Sequence, residues 1–73
     1  MNTESILNNK KIILDNFNKG KFEKVIKLGK KFLKKNNDFQ VLYALGVTNL
    51  TLKNYIEAEK FFRSIISLKP NAE

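Results

Sequence analysis

The stretch "LYALGVTNLTLKNYIEAEKFF" (Leu42–Phe62) decides the fold. On both sides of "LKN" its apolar residues recur at three- and four-residue spacings, the period of amphipathic helices. Asn54 followed by Glu57 resembles a capping box, in which two side chains satisfy free amides at a helix start. A second helix is therefore expected from Tyr55. Its apolar face is large-residue (Tyr55, Phe61, Phe62) except for Ala58. That small residue predicts a place where two helix backbones approach closely.

Working outward, the same period marks four helices and no strand. The first runs from about Thr3 to Phe17, with Ile6, Leu7, Ile13, Leu14 and Phe17 at helical spacings. "NKG" follows, and Gly20 can take the left-handed conformation that ends a helix. The second runs from about Lys21 to Lys35, where Lys34 and Lys35 suit the negative end of the helix dipole. Asn37 or Asp38 can cap the third, about Phe39 to Leu52. That helix carries no charged residue and is apolar on most of its circumference, which predicts burial on more than one side. The fourth runs from about Tyr55 to Leu68, and Pro70 cannot continue it. Connections of three or four residues predict antiparallel neighbours.

The chain has 73 residues and neither cysteine nor histidine. This bounds it to one small domain. It also excludes disulfides and thiolate metal sites, and it removes the commonest general base at neutral pH. No segment has the apolar core of a signal peptide, and no apolar run approaches the roughly 18 residues of a membrane span. A soluble protein of a reducing compartment, the cytoplasm, is expected. The net charge of +7 is uneven. Up to Asn37 ten lysines face three acids, and from Asp38 four basic residues face four acids. The excess is read either as a compositional habit or as a basic face for anionic partners.

The second and fourth helices are self-similar at an offset of 33 residues. Phe22 aligns with Tyr55, Val25 with Ala58, Lys27 with Lys60, Phe32 with Ile65 and Leu33 with Ile66. The preceding helices align more loosely, Ile12 with Leu45 and Phe17 with Leu50. A helix–turn–helix unit repeated at this period is a solenoid signature. The second unit resembles the tetratricopeptide repeat. It has Leu42-x-x-Leu45-Gly46, then Tyr55, Ala58-x-x-x-Phe62 and Pro70 at that family's spacings. Leu42, Asn49 and Ile65 depart from its usual Trp, Tyr and small residue. The first unit is degenerate, with Val25 at the small position, Gly29 at the aromatic one and Asn37 at the proline. Gly29, opposite Phe62 in the alignment, either admits a close approach or reflects drift. The resemblance implies an all-α fold of two antiparallel helix–turn–helix units, an α-solenoid fragment. The expected units are about 3–36 and 39–72 within a single domain, 1–73.

Enzymatic function finds no support in the residues. The carboxylates are scattered, Glu57 and Glu59 point to different sides of a helix, "NKGKF" has one glycine, and Ser64 and Ser67 have no histidine partner. No catalytic residue, metal site or cofactor is expected. The resemblance implies a non-enzymatic protein-interaction module. The first helix of each unit would line a groove for a peptide or partner helix. Carried onto this sequence, the groove is Gln40, Tyr43, Val47, Leu50 and Thr51, with Leu7, Lys10, Leu14 and Phe17 from the first unit. A carboxylate clamp is disfavoured, because Leu14 and Val47 stand where an Asn would help Lys10. The competing reading has Tyr43, Val47 and Leu50 buried against the chain or its oligomer.

Solenoids usually need three or more units. The apolar arc of the last helix exceeds what its predecessor can cover, and "PNAE" falls where a further unit or cap is expected. Self-association or completion in a longer array is therefore expected through Phe61, Phe62, Ile65 and Ile66, with Phe61 lacking an obvious neighbour. The alternative function is nucleic-acid or anionic-surface binding through Lys24, Lys27, Lys31 and Lys34/Lys35 of the second helix. Scarce arginine and the lack of interleaved stacking aromatics weigh against it.

Overall fold

The computed structural model of the chain describes residues 3–68, which form four helices and no strand. They are α1 (Thr3–Asn18), α2 (Phe22–Leu33), α3 (Phe39–Thr51) and α4 (Tyr55–Leu68). The expected all-α pair of helical hairpins is the architecture observed. Pro70 and the "PNAE" segment lie outside the described residues.

Backbone chemistry at the two hairpin turns is the same. After α1, the Gly20 amide donates to the Phe17 carbonyl (3.1 Å) and the Lys21 amide to the Asn16 carbonyl (2.9 Å). After α3, the Lys53 amide donates to the Leu50 carbonyl (3.0 Å) and the Asn54 amide to the Asn49 carbonyl (2.8 Å). Both are the paired bonds that close a helix through one left-handed residue. Gly20 has φ 75° and Lys53 has φ 67°, and they stand one 33-residue period apart. The second turn thus places a side chain where glycine is the unstrained choice.

The same turn changes the start of α4. A capping box would need the Asn54 amide for Glu57, but that amide is already taken by Asn49. The Asn54 side-chain amide instead donates to Asn49 Oδ1 (3.3 Å), and Glu57 pairs with Lys60 (3.6 Å). Asn49 is buried, and its Nδ2 donates to the Leu45 carbonyl (2.8 Å). It therefore links the interior of α3 to the turn. At the other end of α3, Asp38 Oδ1 accepts from the amides of Gln40 (2.9 Å) and Val41 (3.1 Å). Of the two candidate caps, Asp38 is the one used, and its charge also suits the positive end of the helix dipole.

Packing is that of a one-dimensional stack. Consecutive helices lie against each other and α1 also touches α3, whereas α4 approaches only α3 at backbone distance. This makes α3 central, as its uncharged sequence predicts. Val41, Leu42, Ala44, Leu45, Gly46, Thr48 and Asn49 are all buried. The core joins Val41, Ala44 and Leu45 to Ile13 of α1 and to Val25 and Phe32 of α2. Burying a side chain such as Leu45 stabilises the fold by about 1.5–3 kcal/mol.

Two glycines set the closest approaches. A Cβ on Gly29 would lie 2.9–3.1 Å from three atoms of the Leu45 side chain, so Leu45 enters a hole that only glycine leaves open. Of the two readings of Gly29, close approach is therefore the structural one. A Cβ on Gly46 would lie 2.8 Å from the Phe62 ring. Ala58 is buried, as its place among aromatics predicts. Phe61 does not lack a neighbour: it is half-buried and packs against the core.

Candidate functional site

The first helices of the two hairpins, α1 and α3, bound an open cavity of about 390 Å³. Its wall is Leu14, Phe17 and Asn18 from α1, with Phe39, Gln40, Tyr43 and Ala44 from α3. Leu14, Gln40 and Tyr43, all expected to share a groove, converge here, together with Phe17. The surface is mainly apolar, with two side-chain amides and one phenol to fix the orientation of a bound chain.

Two contacts shape this cavity. Lys10 Nζ lies 3.0 Å from Asp38 Oδ2, which ties α1 to the cap of α3. Lys10 is thereby engaged with a carboxylate of this chain and is not in the cavity wall. The Tyr43 ring stands edge-on to Phe62 of α4, centroids 6.4 Å apart and planes at 69°. Edge-to-face pairs contribute about 0.5–1.5 kcal/mol beyond their buried area. Tyr43 is nonetheless 51% exposed, which sets aside its burial within the chain.

Val47 and Leu50 are not in the wall. α1 ends at Asn18, beside Tyr43 and Ala44, and these two residues lie one and two turns further along α3. Val47 is half-buried and Leu50 is exposed, as is Leu7 of α1. Asn18, Phe39 and Ala44 belong to the wall but escaped sequence reasoning. Asn18 is the last residue of α1 and Phe39 the first of α3.

The four residues expected to mediate self-association differ in exposure. Phe61 is occupied by the core, Phe62 is half-buried over Gly46, Ile65 is half-buried, and Ile66 is 70% exposed. The exposed large apolar residues of α4 are Tyr55, Ile56, Ile66 and, at its end, Leu68. The cause is rotation about α4: the Phe61–Ile65 side faces inward and the Tyr55–Ile66 side outward. Lys24, Lys27, Lys31 and Lys34 are all exposed, and among the described residues none of them is ion-paired. The aromatics of their helix do not interleave with them, since Phe32 is buried and Phe22 half-buried.

Among the described residues no three His, Cys, Asp or Glu side chains gather to hold a metal ion, and no helix is long and apolar enough to cross a membrane. No protein-family profile, curated protein or solved structure matches the chain.

Proposed function

We propose that the chain is a cytoplasmic, non-enzymatic interaction module of the tetratricopeptide type, binding a peptide or partner helix between α1 and α3. The observation that carries this reading is the cavity of Leu14, Phe17, Gln40 and Tyr43, built from the first helix of each hairpin. A tetratricopeptide array uses that same face. The two units would be residues 3–36 and 39–72 of one domain. The matching turn bonds at Gly20 and Lys53, one period apart, support the repeat. The exposed Tyr55, Ile56 and Ile66 support a second contact, in which α4 meets another copy or a further unit of an array.

Binding would be anchored by apolar side chains entering beside Leu14 and Phe17, with Gln40 and Asn18 reading the backbone of the guest. The test is panning of a random peptide library on the folded chain, followed by calorimetry of the selected peptides on Leu14→Glu and Tyr43→Ala variants. Selected peptides should share an apolar motif and lose at least about tenfold affinity on both variants, the level of a single truncated anchor. Undiminished binding to both variants refutes the site. Nucleic-acid binding through the α2 lysines is the weaker reading, because neither phenylalanine of that helix offers a free stacking face.

A further inference from the structure

A second groove lies on the side of α1 that faces away from α3. It is about 280 Å³ in volume and runs between α1 and α2. Its floor includes Ile6, Ile12 and Leu28, and Lys31 and Lys35 stand at its rim. The internal repeat says what shape of guest this groove takes. Thirty-three residues on, Leu45 occupies the place of Ile12. Leu45 is 0% exposed because α2 covers it, its side chain set into the hole at Gly29. Ile12 is 43% exposed, and among the described residues nothing plays toward it the part that α2 plays toward Leu45. The covered position and the open one are equivalent, one period apart. The guest of the open groove is therefore a helix with a small residue where it crosses Ile12.

Charge says which helix. The rim positions Lys31 and Lys35 correspond to Ser64 and Leu68 in the second hairpin. Lys24 lies on the same side of α2, two turns before Lys31. All three are exposed, and none is ion-paired among the described residues. A second copy is the poorer guest. Its α4 carries Phe62 where α2 carries Gly29, so it offers Ile12 no hole. We infer that the α1–α2 groove docks an acidic amphipathic helix of a partner protein, with a small residue seated on Ile12 and carboxylates against Lys31 and Lys35.

The probe is a stapled helical peptide with the sequence of residues 21–36 in which every lysine is replaced by glutamate. It keeps the face that α2 already uses, including Gly29, and reverses the charge. Calorimetry with the 73-residue chain should show saturable binding. That binding should weaken by about tenfold for K31E/K35E, the product of two surface charge pairs. It should also weaken at least tenfold for Ile12→Glu, and fall as salt is raised. The unaltered lysine-bearing peptide should bind about tenfold or more weakly. Lys31, Lys35 and Ile12 are exposed, so an unchanged thermal melt is expected for these variants.

Four results would overturn the inference. One is no binding of the acidic peptide. Another is equal affinity for the acidic and basic peptides, or for wild type and K31E/K35E. A third is equal binding of polyglutamate, which would mean charge alone. The last is concentration-dependent dimerisation abolished by Ile12→Glu, which would make a second copy the occupant. None of these outcomes bears on the α1–α3 cavity, whose test uses different residues.

Discussion

Replacing Gly29 by alanine should destabilise the fold, although alanine is the better helix former. On an open helix face the substitution gains about 0.8–1.0 kcal/mol. Here the new methyl would stand 2.9, 3.0 and 3.1 Å from Cδ1, Cγ and Cδ2 of Leu45. Carbon atoms pack at about 3.5–4.0 Å, so each contact is short by roughly 0.5–1 Å. All three atoms belong to one branched head, and rotating it exchanges one methyl for the other without relief. Leu45 is fully buried on a helix enclosed by its three neighbours, so it cannot retreat as a unit. Overpacking of this kind costs about 1–3 kcal/mol. The net expectation is a loss of about 1 kcal/mol, read by urea denaturation followed by far-ultraviolet circular dichroism with unchanged m-value. In a Leu45→Ala background the obstacle is gone, and Gly29→Ala should stabilise by about 1 kcal/mol. Leu45→Ala alone costs about 2–5 kcal/mol, comparable with the whole stability of a small domain. All four members of the cycle should therefore be measured in the same concentration of a stabilising osmolyte. The sign reversal implies a coupling of about 2 kcal/mol. Equal effects of Gly29→Ala in both backgrounds, within about 0.5 kcal/mol, would refute the hole at Gly29 and the helix-shaped groove inferred from it.

Lys53→Gly should stabilise by about 0.5–1 kcal/mol and raise Tm by several degrees. It removes a left-handed penalty of about 1–2 kcal/mol, partly offset by the greater freedom of glycine in the unfolded chain. An unchanged or lower Tm would place Lys53 outside the left-handed region. Thr48 is fully buried, and its Oγ1 has no hydrogen-bond partner among the described residues. Thr48→Val keeps the shape and should raise stability by about 1 kcal/mol in urea titrations; a loss would show that the hydroxyl is bonded. Asp38→Ala should cost about 0.5–2 kcal/mol by removing the α3 cap. Asp38→Asn should recover most of that loss in the same assay, because an amide oxygen still caps the helix while the Lys10 pair, worth at most about 1 kcal/mol, is gone.

The helices were legible because their signals are local. Asp38 fixes the start of α3 through two amides a turn away, and Gly20 fixes the end of α1 through one dihedral angle. The site was legible only as far as the repeat carried the register between α1 and α3. That register brings Leu14, Gln40 and Tyr43 together. It fails at Val47 and Leu50, because where α1 runs out is set by the length of α1 and by nothing in α3. It fails at Phe61 for another reason. Periodicity gives an apolar arc about a helix axis, but which part of the arc faces inward depends on how the neighbouring helix is placed. Phe62 is drawn onto α3 by Gly46, and that rotation carries Phe61 to the core and leaves Ile66 outside.

The degenerate look of the first hairpin has a packing cause. In the second hairpin α3 contributes the small residue, Gly46, and α4 the large one, Phe62. One period earlier the same two positions are Ile13 and Gly29, both buried. The space at Gly29 is filled by Leu45 of α3, from the next hairpin, and not by a residue of its own hairpin, so each position, compared alone, looks unrelated. The turns behave in the opposite way. Gly20 and Lys53 differ as residues yet hold the same backbone conformation and the same two hydrogen bonds. At these turns the likeness of the two hairpins persists in backbone geometry rather than in residue identity. Ile12 and Leu45 are then the informative pair. Their side chains are alike and their positions equivalent, but one is covered and the other is not. A difference in burial between equivalent residues marks where the stack expects another helix.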